Sequence, residues 1–194
     1  MKRKTHHVSF LLAIAALAVV SLVSVLKSDV TVSAKVATLN TGNSAAAQVR
    51  FDTRSYYRLT TQWQGDGKSL DVVNDGKNNQ LILAQTDNLS GQSWKITPLA
   101  GGYYRLTTQW QGNGKSLDVV NDGKNNRLIL AKTANVSGQF WKITPSGDGY
   151  YRLTTQWQGD GKSLDVVNDG KNNQLILAQT DNVSGQFWKI TKIE

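Results

Sequence analysis

The stretch Tyr57-Arg58-Leu59-Thr60-Thr61-Gln62-Trp63-Gln64-Gly65-Asp66-Gly67-Lys68-Ser69-Leu70-Asp71-Val72 opens a unit that returns almost unchanged at Tyr104 and again at Tyr151. Asp71, Asp118 and Asp165 stand 47 residues apart, as do Trp94, Trp141 and Trp188. Between 57–97 and 151–191 only Leu89/Val183 and Ser93/Phe187 differ. The middle copy departs further, with Asn113, Arg127, Lys132 and Ala134 in place of Asp66, Gln80, Gln85 and Asp87. Such near-identity points to recent duplication, so sameness between copies says little about the importance of any one residue.

Each unit reads as four short strands. Residues 57–62 are rich in β-formers, and Gly65-Asp66-Gly67 is a turn. The second strand, Lys68 to Val73, alternates Leu70 and Val72 with Ser69 and Asp71. Asn74 to Asn79 is a second turn, with Asp75-Gly76 as its hairpin signal. Leu81 to Ala84 is the third strand, 87–91 a loop, and 93–97 the fourth strand, with Trp94 and Ile96 on one face. Strands recurring about every 12 residues indicate an all-β sandwich or barrel. No stretch after Leu26 has helical periodicity. Three units of four strands fit a closed β-trefoil. A propeller is the alternative, though propellers usually have four or more blades, and three copies without atypical caps favour closure over an open solenoid. The expected repeats span 56–102, 103–149 and 150–194.

The 194 residues suit one domain with attachments, and the formal net charge is +8. There is no cysteine, so core packing alone must hold the fold. Ahead of the repeats, Lys2, Arg3 and Lys4 precede 19 uncharged residues, Val8 to Leu26. A basic end before an apolar run is a secretory signal pattern, and cleavage after Val32-Ser33-Ala34 is one reading of 1–34. The run also has the roughly 17–25 residues that span a bilayer, so retention as an anchor through 8–26 is the other. In both, the basic cluster stays cytoplasmic and the repeats lie across the membrane, secreted or anchored. Residues 35–55, rich in Ala, Ser, Thr and Asn, read as a flexible spacer. Without the first 34 residues, 18 basic and 13 acidic residues remain, spread evenly through the repeats. Nucleic-acid binders concentrate such charge in a patch or stripe, so no nucleic acid is expected.

Gly67-Lys68-Ser69-Leu70-Asp71-Val72 followed by Gln92-Ser93-Trp94 resembles the ricin B-type lectin repeat, which carries a Leu/Val-Asp-Val strand and a later Gln-x-Trp. The pair recurs at Leu117-Asp118-Val119 with Gln139-Phe140-Trp141, and at Leu164-Asp165-Val166 with Gln186-Phe187-Trp188. The resemblance implies a β-trefoil and a polysaccharide or glycoconjugate as partner. It implies that Asp71, Asp118 and Asp165 hydrogen-bond sugar hydroxyls. The family's stacking aromatic falls near Leu83, Leu130 and Leu177, and its sugar-holding Asn on Gly91, Gly138 and Gly185. Both are missing here. The family's paired cysteines are replaced near Ser69 and Gln85.

By strand alternation Asp71 and its copies point away from the core. A carboxylate there can accept charge-assisted hydrogen bonds from sugar hydroxyls or cap local backbone amides. Trp63, Trp110 and Trp157, beside the Gly-rich turn, are candidates to replace the missing aromatic; the alternative is a core ring sharing a face with Leu59. Asn79, Asn126 and Asn173 extend the polar site or serve tight-turn chemistry. Trp94, Trp141 and Trp188 read as core. Gln92, Gln139 and Gln186 read as partners of loop backbone groups, as in the family. The segment from Asp71 to Ile82 does not satisfy a calcium loop, because Val73 and Ile82 occupy ligand positions. Asn88, Asn135 and Asn182 head glycosylation sequons, which matter only in a host that glycosylates exported chains.

The two histidines, His6 and His7, lie in the export segment, and Glu194 is the single glutamate. Aspartate alone is left for acid–base work, and no phosphate loop or metal spacing is present. The expectation is a monomeric, non-enzymatic binder without cofactor or metal, carrying three weak sites. A structural or protein-binding trefoil that has lost sugar recognition is the alternative.

Overall fold

The computed structural model describes residues 49–193. The expected export or anchor segment and the spacer as far as residue 48 lie outside the described residues. In the first repeat the strands are β1 (Tyr56–Thr61), β2 (Gly65–Val72), β3 (Leu81–Gln85) and β4 (Trp94–Pro98). The second contributes β5 (Tyr104–Thr108), β6 (Lys115–Val119), β7 (Leu128–Lys132) and β8 (Trp141–Gly147). The third contributes β9 (Tyr150–Thr155), β10 (Gly159–Val166), β11 (Leu175–Gln179) and β12 (Trp188–Ile193). Single 3₁₀ turns at Ser137–Gln139 and Ser184–Gln186 lead into β8 and β12.

The first and last strand of each repeat close a six-stranded antiparallel barrel. β1 pairs with β4 and β12, β4 with β5, β5 with β8, β8 with β9, and β9 with β12. Closure removes the free edges that an open sheet would present. The hairpins β2–β3, β6–β7 and β10–β11 form a threefold cap. The described residues form an all-β trefoil, and ring closure leaves no place for the propeller alternative. Gly65-Asp66-Gly67, expected as a bare turn, belongs to β2, with a register shift beside Thr60 and Thr61. There Asp66 accepts a hydrogen bond from Thr60 Oγ1 at 3.2 Å and pairs with Lys189 at 2.9 Å. Asp160 does the same for Thr154 and Lys142. In the middle repeat Asn113 stands instead, β6 is shorter, and the buried Thr107 Oγ1 has no partner.

One core draws equivalent residues from all three repeats. Trp94, Trp141 and Trp188 are fully buried with Leu59, Leu106 and Leu153. Burial of an indole demands a partner for its N–H; the Nε1 atoms donate to the carbonyls of Leu70, Leu117 and Leu164 at 2.8, 2.9 and 2.9 Å. Each Trp thus ties the barrel to its hairpin. The hairpins are tied to one another by a cyclic set of backbone bonds, Leu83 N to Asn173 O, Leu130 N to Asn79 O and Leu177 N to Asn126 O, each 2.8 Å.

The other end of the barrel is filled from outside the repeats. Phe51 packs edge-on against Tyr57, Tyr104 and Tyr151, with ring centroids 5.2, 5.5 and 6.3 Å away. Tyr104 Oη donates to the Val49 carbonyl, and Asp52 N donates to Tyr57 Oη at 2.7 Å. Packed structure therefore begins by Val49, which corrects the spacer's expected end at residue 55. One aromatic in a polar stretch has no periodicity to read, yet it lies where three rings converge.

Candidate functional site

The loop before each Gln-x-Trp folds over the first strand of its hairpin, the one that carries the aspartate. Gln92 Oε1 accepts from Asp87 N at 2.9 Å, while its Nε2 donates to Gln85 O at 2.8 Å and to Asp71 Oδ2 at 3.1 Å. Gln139 and Gln186 repeat the pattern on Asp118 and Asp165. Asp71 Oδ1 accepts from Val72 N at 2.7 Å, and the equivalents match within 0.1 Å. The carboxylates are thus not free on an outer face: Asp71 is 8% exposed, and Asp118 and Asp165 are half-buried. Alternation placed them opposite Leu70 and Val72, but the folded-over loop covers that face. Each carboxylate oxygen holds one protein donor, and an ionised carboxylate has about four acceptor positions in all, so capacity for a ligand remains.

Three clefts related by the repeat lie beside these aspartates. The first, about 390 Å³, is lined by Asp71, Val72, Asn74, Ile82, Leu89 and Gly91 among others, and is walled by Trp110. The second, about 500 Å³, holds Asp118, Asn121, Ile129 and Val136 with Trp157. The third, about 460 Å³, holds Asp165, Asn168, Ile176 and Val183 with Trp63. Each cleft therefore takes its carboxylate from one repeat and its indole from the next, with the third repeat closing onto the first. Backbone bonds fix the arrangement: Trp110 N donates to Ser90 O at 3.2 Å, Trp157 N to Ser137 O and Trp63 N to Ser184 O, both at 3.3 Å. The three indoles are half-buried, pack against the core and line the neighbouring clefts.

Asn79, Asn126 and Asn173 are not among the residues lining the clefts; their carbonyls make the bonds between hairpins. The cleft amides are Asn74, Asn121 and Asn168, which the sequence reading passed over as turn residues. Leu83, near which the family's aromatic is expected to fall, is buried in the core, and the neighbouring third-strand residue Ile82 lines the first cleft. Gly91 is dictated by the aspartate, since a Cβ there would stand 2.4 Å from Asp71 Oδ1. Leu89, Val136 and Val183, in the sequons, are the large apolar side chains left exposed among the described residues. An apolar residue at the same place in the polar loop of every copy is the sequence signal that marks the cleft rim.

A family model for the ricin-type β-trefoil lectin domain-like family matches residues 45–131 and 92–180. The chain belongs to that family. Among solved structures, this ricin-type trefoil is similar to a designed threefold-symmetric protein, ThreeFoil (28% identity, TM-score 0.62, covering 71% of this chain and 99% of that one). It is similar at equal identity to an exo-β-1,3-galactanase from Clostridium thermocellum (TM-score 0.60, covering 73% of this chain and 31% of that one). SeviL, solved bound to the asialo-GM1 saccharide, shares the fold at 17% identity (TM-score 0.54, 72% and 98% covered). No curated protein matches this chain in sequence. Among the described residues no His, Cys, Asp or Glu cluster could hold a metal ion.

Proposed function

We propose that this chain is an exported, non-catalytic carbohydrate-binding module with three sites, one at each repeat junction. The observation that carries the reading is the composition of the clefts: a carboxylate with spare acceptor capacity, an amide, and an aliphatic floor under an indole wall. A sugar offers hydroxyls to the first two and its apolar C–H face to the others. The Trp of the next repeat serves as the platform that the third strand lacks. The lectin-like family and a sugar-bound neighbour of the same fold support the reading.

A single open cleft of this kind binds at around millimolar strength, roughly 4 kcal/mol. Three on one body can engage a polymer with avidity raised roughly 10²–10⁴-fold, so polysaccharides and dense glycan surfaces are preferred to free sugars. A glycan array probed with the chain tests this. Binding to polymers that is lost when Asp71, Asp118 and Asp165 are together changed to Ala, in a variant that remains folded, supports it. An array without a binding glycan removes it. The N-terminal pattern supports a location across the cytoplasmic membrane, which protease added to intact cells checks: a protected trefoil would contradict export.

A further inference from the structure

The three junctions are not alike. At the residue between Gln and Trp, the second and third repeats carry Phe140 and Phe187, half-buried under the guanidinium groups of Arg105 (5.7 Å) and Arg152 (5.3 Å). The first repeat has Ser93, whose hydroxyl donates to Leu89 O at 3.1 Å. Beside this smaller side chain is a further cleft of about 640 Å³. Tyr56 and Trp110 supply aromatic rings to its lining, and Asn88 and Gln109 supply amides. It shares Leu89, Ser90 and Trp110 with the cleft of Asp71, so the two are continuous around the indole.

We propose that the first junction is an extended subsite that takes two or more linked sugar units, while the junctions of Asp118 and Asp165 take one. This rests on the carbohydrate-binding reading above. One unit lies against Asp71, and the chain passes Trp110 into the cleft beside Ser93. Two aromatic rings with amides between them can stack the second unit and bond its hydroxyls. The trefoil is then one strong site with two weaker ones, and the length of the glycan, more than its terminal unit, selects the first junction.

The experiment uses the full chain and an array presenting each glycan as mono-, di- and trisaccharide, followed by calorimetric titration of the strongest series. The parent should bind the disaccharide at least about tenfold more tightly than the monosaccharide, a difference of about 1.4 kcal/mol. Ser93→Phe should remove that step and leave monosaccharide binding unchanged. The substitution copies what two repeats already carry, and a thermal melt checks its fold. The reciprocal change, Phe140→Ser, should create a second length-selective site, because Tyr103 and Leu99 stand where Tyr56 and Ile193 do in the first junction. If glycans bind but Ser93→Phe and Phe140→Ser both leave the length preference of the parent, the extended subsite is wrong and the general reading stands. If the parent binds no glycan, both fall together.

Discussion

A methyl group at Gly91 would overlap Asp71 Oδ1 at 2.4 Å, and the same holds at Gly138 and Gly185 for Asp118 and Asp165, at 2.5 and 2.4 Å. None of these glycines has a left-handed backbone, so the constraint is the approach of the carboxylate. Gly91→Ala should push Asp71 off Val72 N and Gln92 Nε2. Overpacking of this kind costs about 1–3 kcal/mol. Urea unfolding should show that loss, and ligand titration should show the first cleft silenced with the other two intact. Asn113 makes the opposite case. Restoring Asp there gives Thr107 Oγ1 an acceptor and Lys95 a partner, as Thr60 and Lys189 have in Asp66. The Lys189 ammonium already holds the Asp66 carboxyl below the usual carboxylate range. The partners are solvent-exposed, so the ion pair adds little; with the recovered hydrogen bond, Asn113→Asp should stabilise by about 1 kcal/mol. A higher thermal midpoint would show this, and an unchanged one would place Thr107 Oγ1 in contact with water.

At the scale of strands and hairpins, the proposed binding unit is the junction between repeats, where each cleft takes its Asp from one repeat and its Trp from the next. Trp110 belongs to the second repeat by sequence and to the cleft of Asp71 by position. Trp110→Ala should therefore weaken binding at Asp71 and spare Asp118. In double-mutant cycles, Trp110→Ala with Asp71→Ala should couple by about 0.5–3 kcal/mol, and with Asp118→Ala should be additive. Coupling to Asp118 instead would break the cross-repeat assignment. This is also where the sequence stops being legible. Alternation of Leu70 and Val72 with Asp71 displays the hairpin, and three in-phase Leu-Asp-Val and Gln-x-Trp pairs display the trefoil. Which Trp faces which Asp depends on ring closure, through the bond from Trp63 N to Ser184 O between the first and third repeats. Strand alternation carries no such information. Asn74 and Asn79 sit in one turn, and only the neighbouring hairpin, bonded to the Asn79 carbonyl, separates their roles.

For the whole molecule, threefold closure and one packed core hold a chain that has no cysteine. Phe51 and Asp52 add a clasp from outside the repeats. Backbone N–H of Arg54 and the Ser55 hydroxyl hold the Asp52 carboxyl well below its ordinary range, and Lys192 adds to this across the ends of the domain. A depressed carboxyl contributes stability that is present above its unfolded pKa, about 3.9, and is lost as pH falls through the folded value. The melting temperature should therefore decline below about pH 4 more steeply for the parent than for Asp52→Asn. Parallel declines would mean the clasp carries no pH-dependent stability.

The central claim, that carbohydrate occupies clefts built from an Asp of one repeat and a Trp of the next, can be read from the six tryptophan indoles in a ¹H–¹⁵N spectrum. Trp94, Trp141 and Trp188 donate to core carbonyls, whereas Trp63, Trp110 and Trp157 wall the clefts. Titration with an oligosaccharide chosen from the array, with resonances assigned by single Trp→Phe changes, should shift the three cleft indoles and leave the three core indoles in place. A glycan that binds while Trp63, Trp110 and Trp157 remain unmoved would contradict the account.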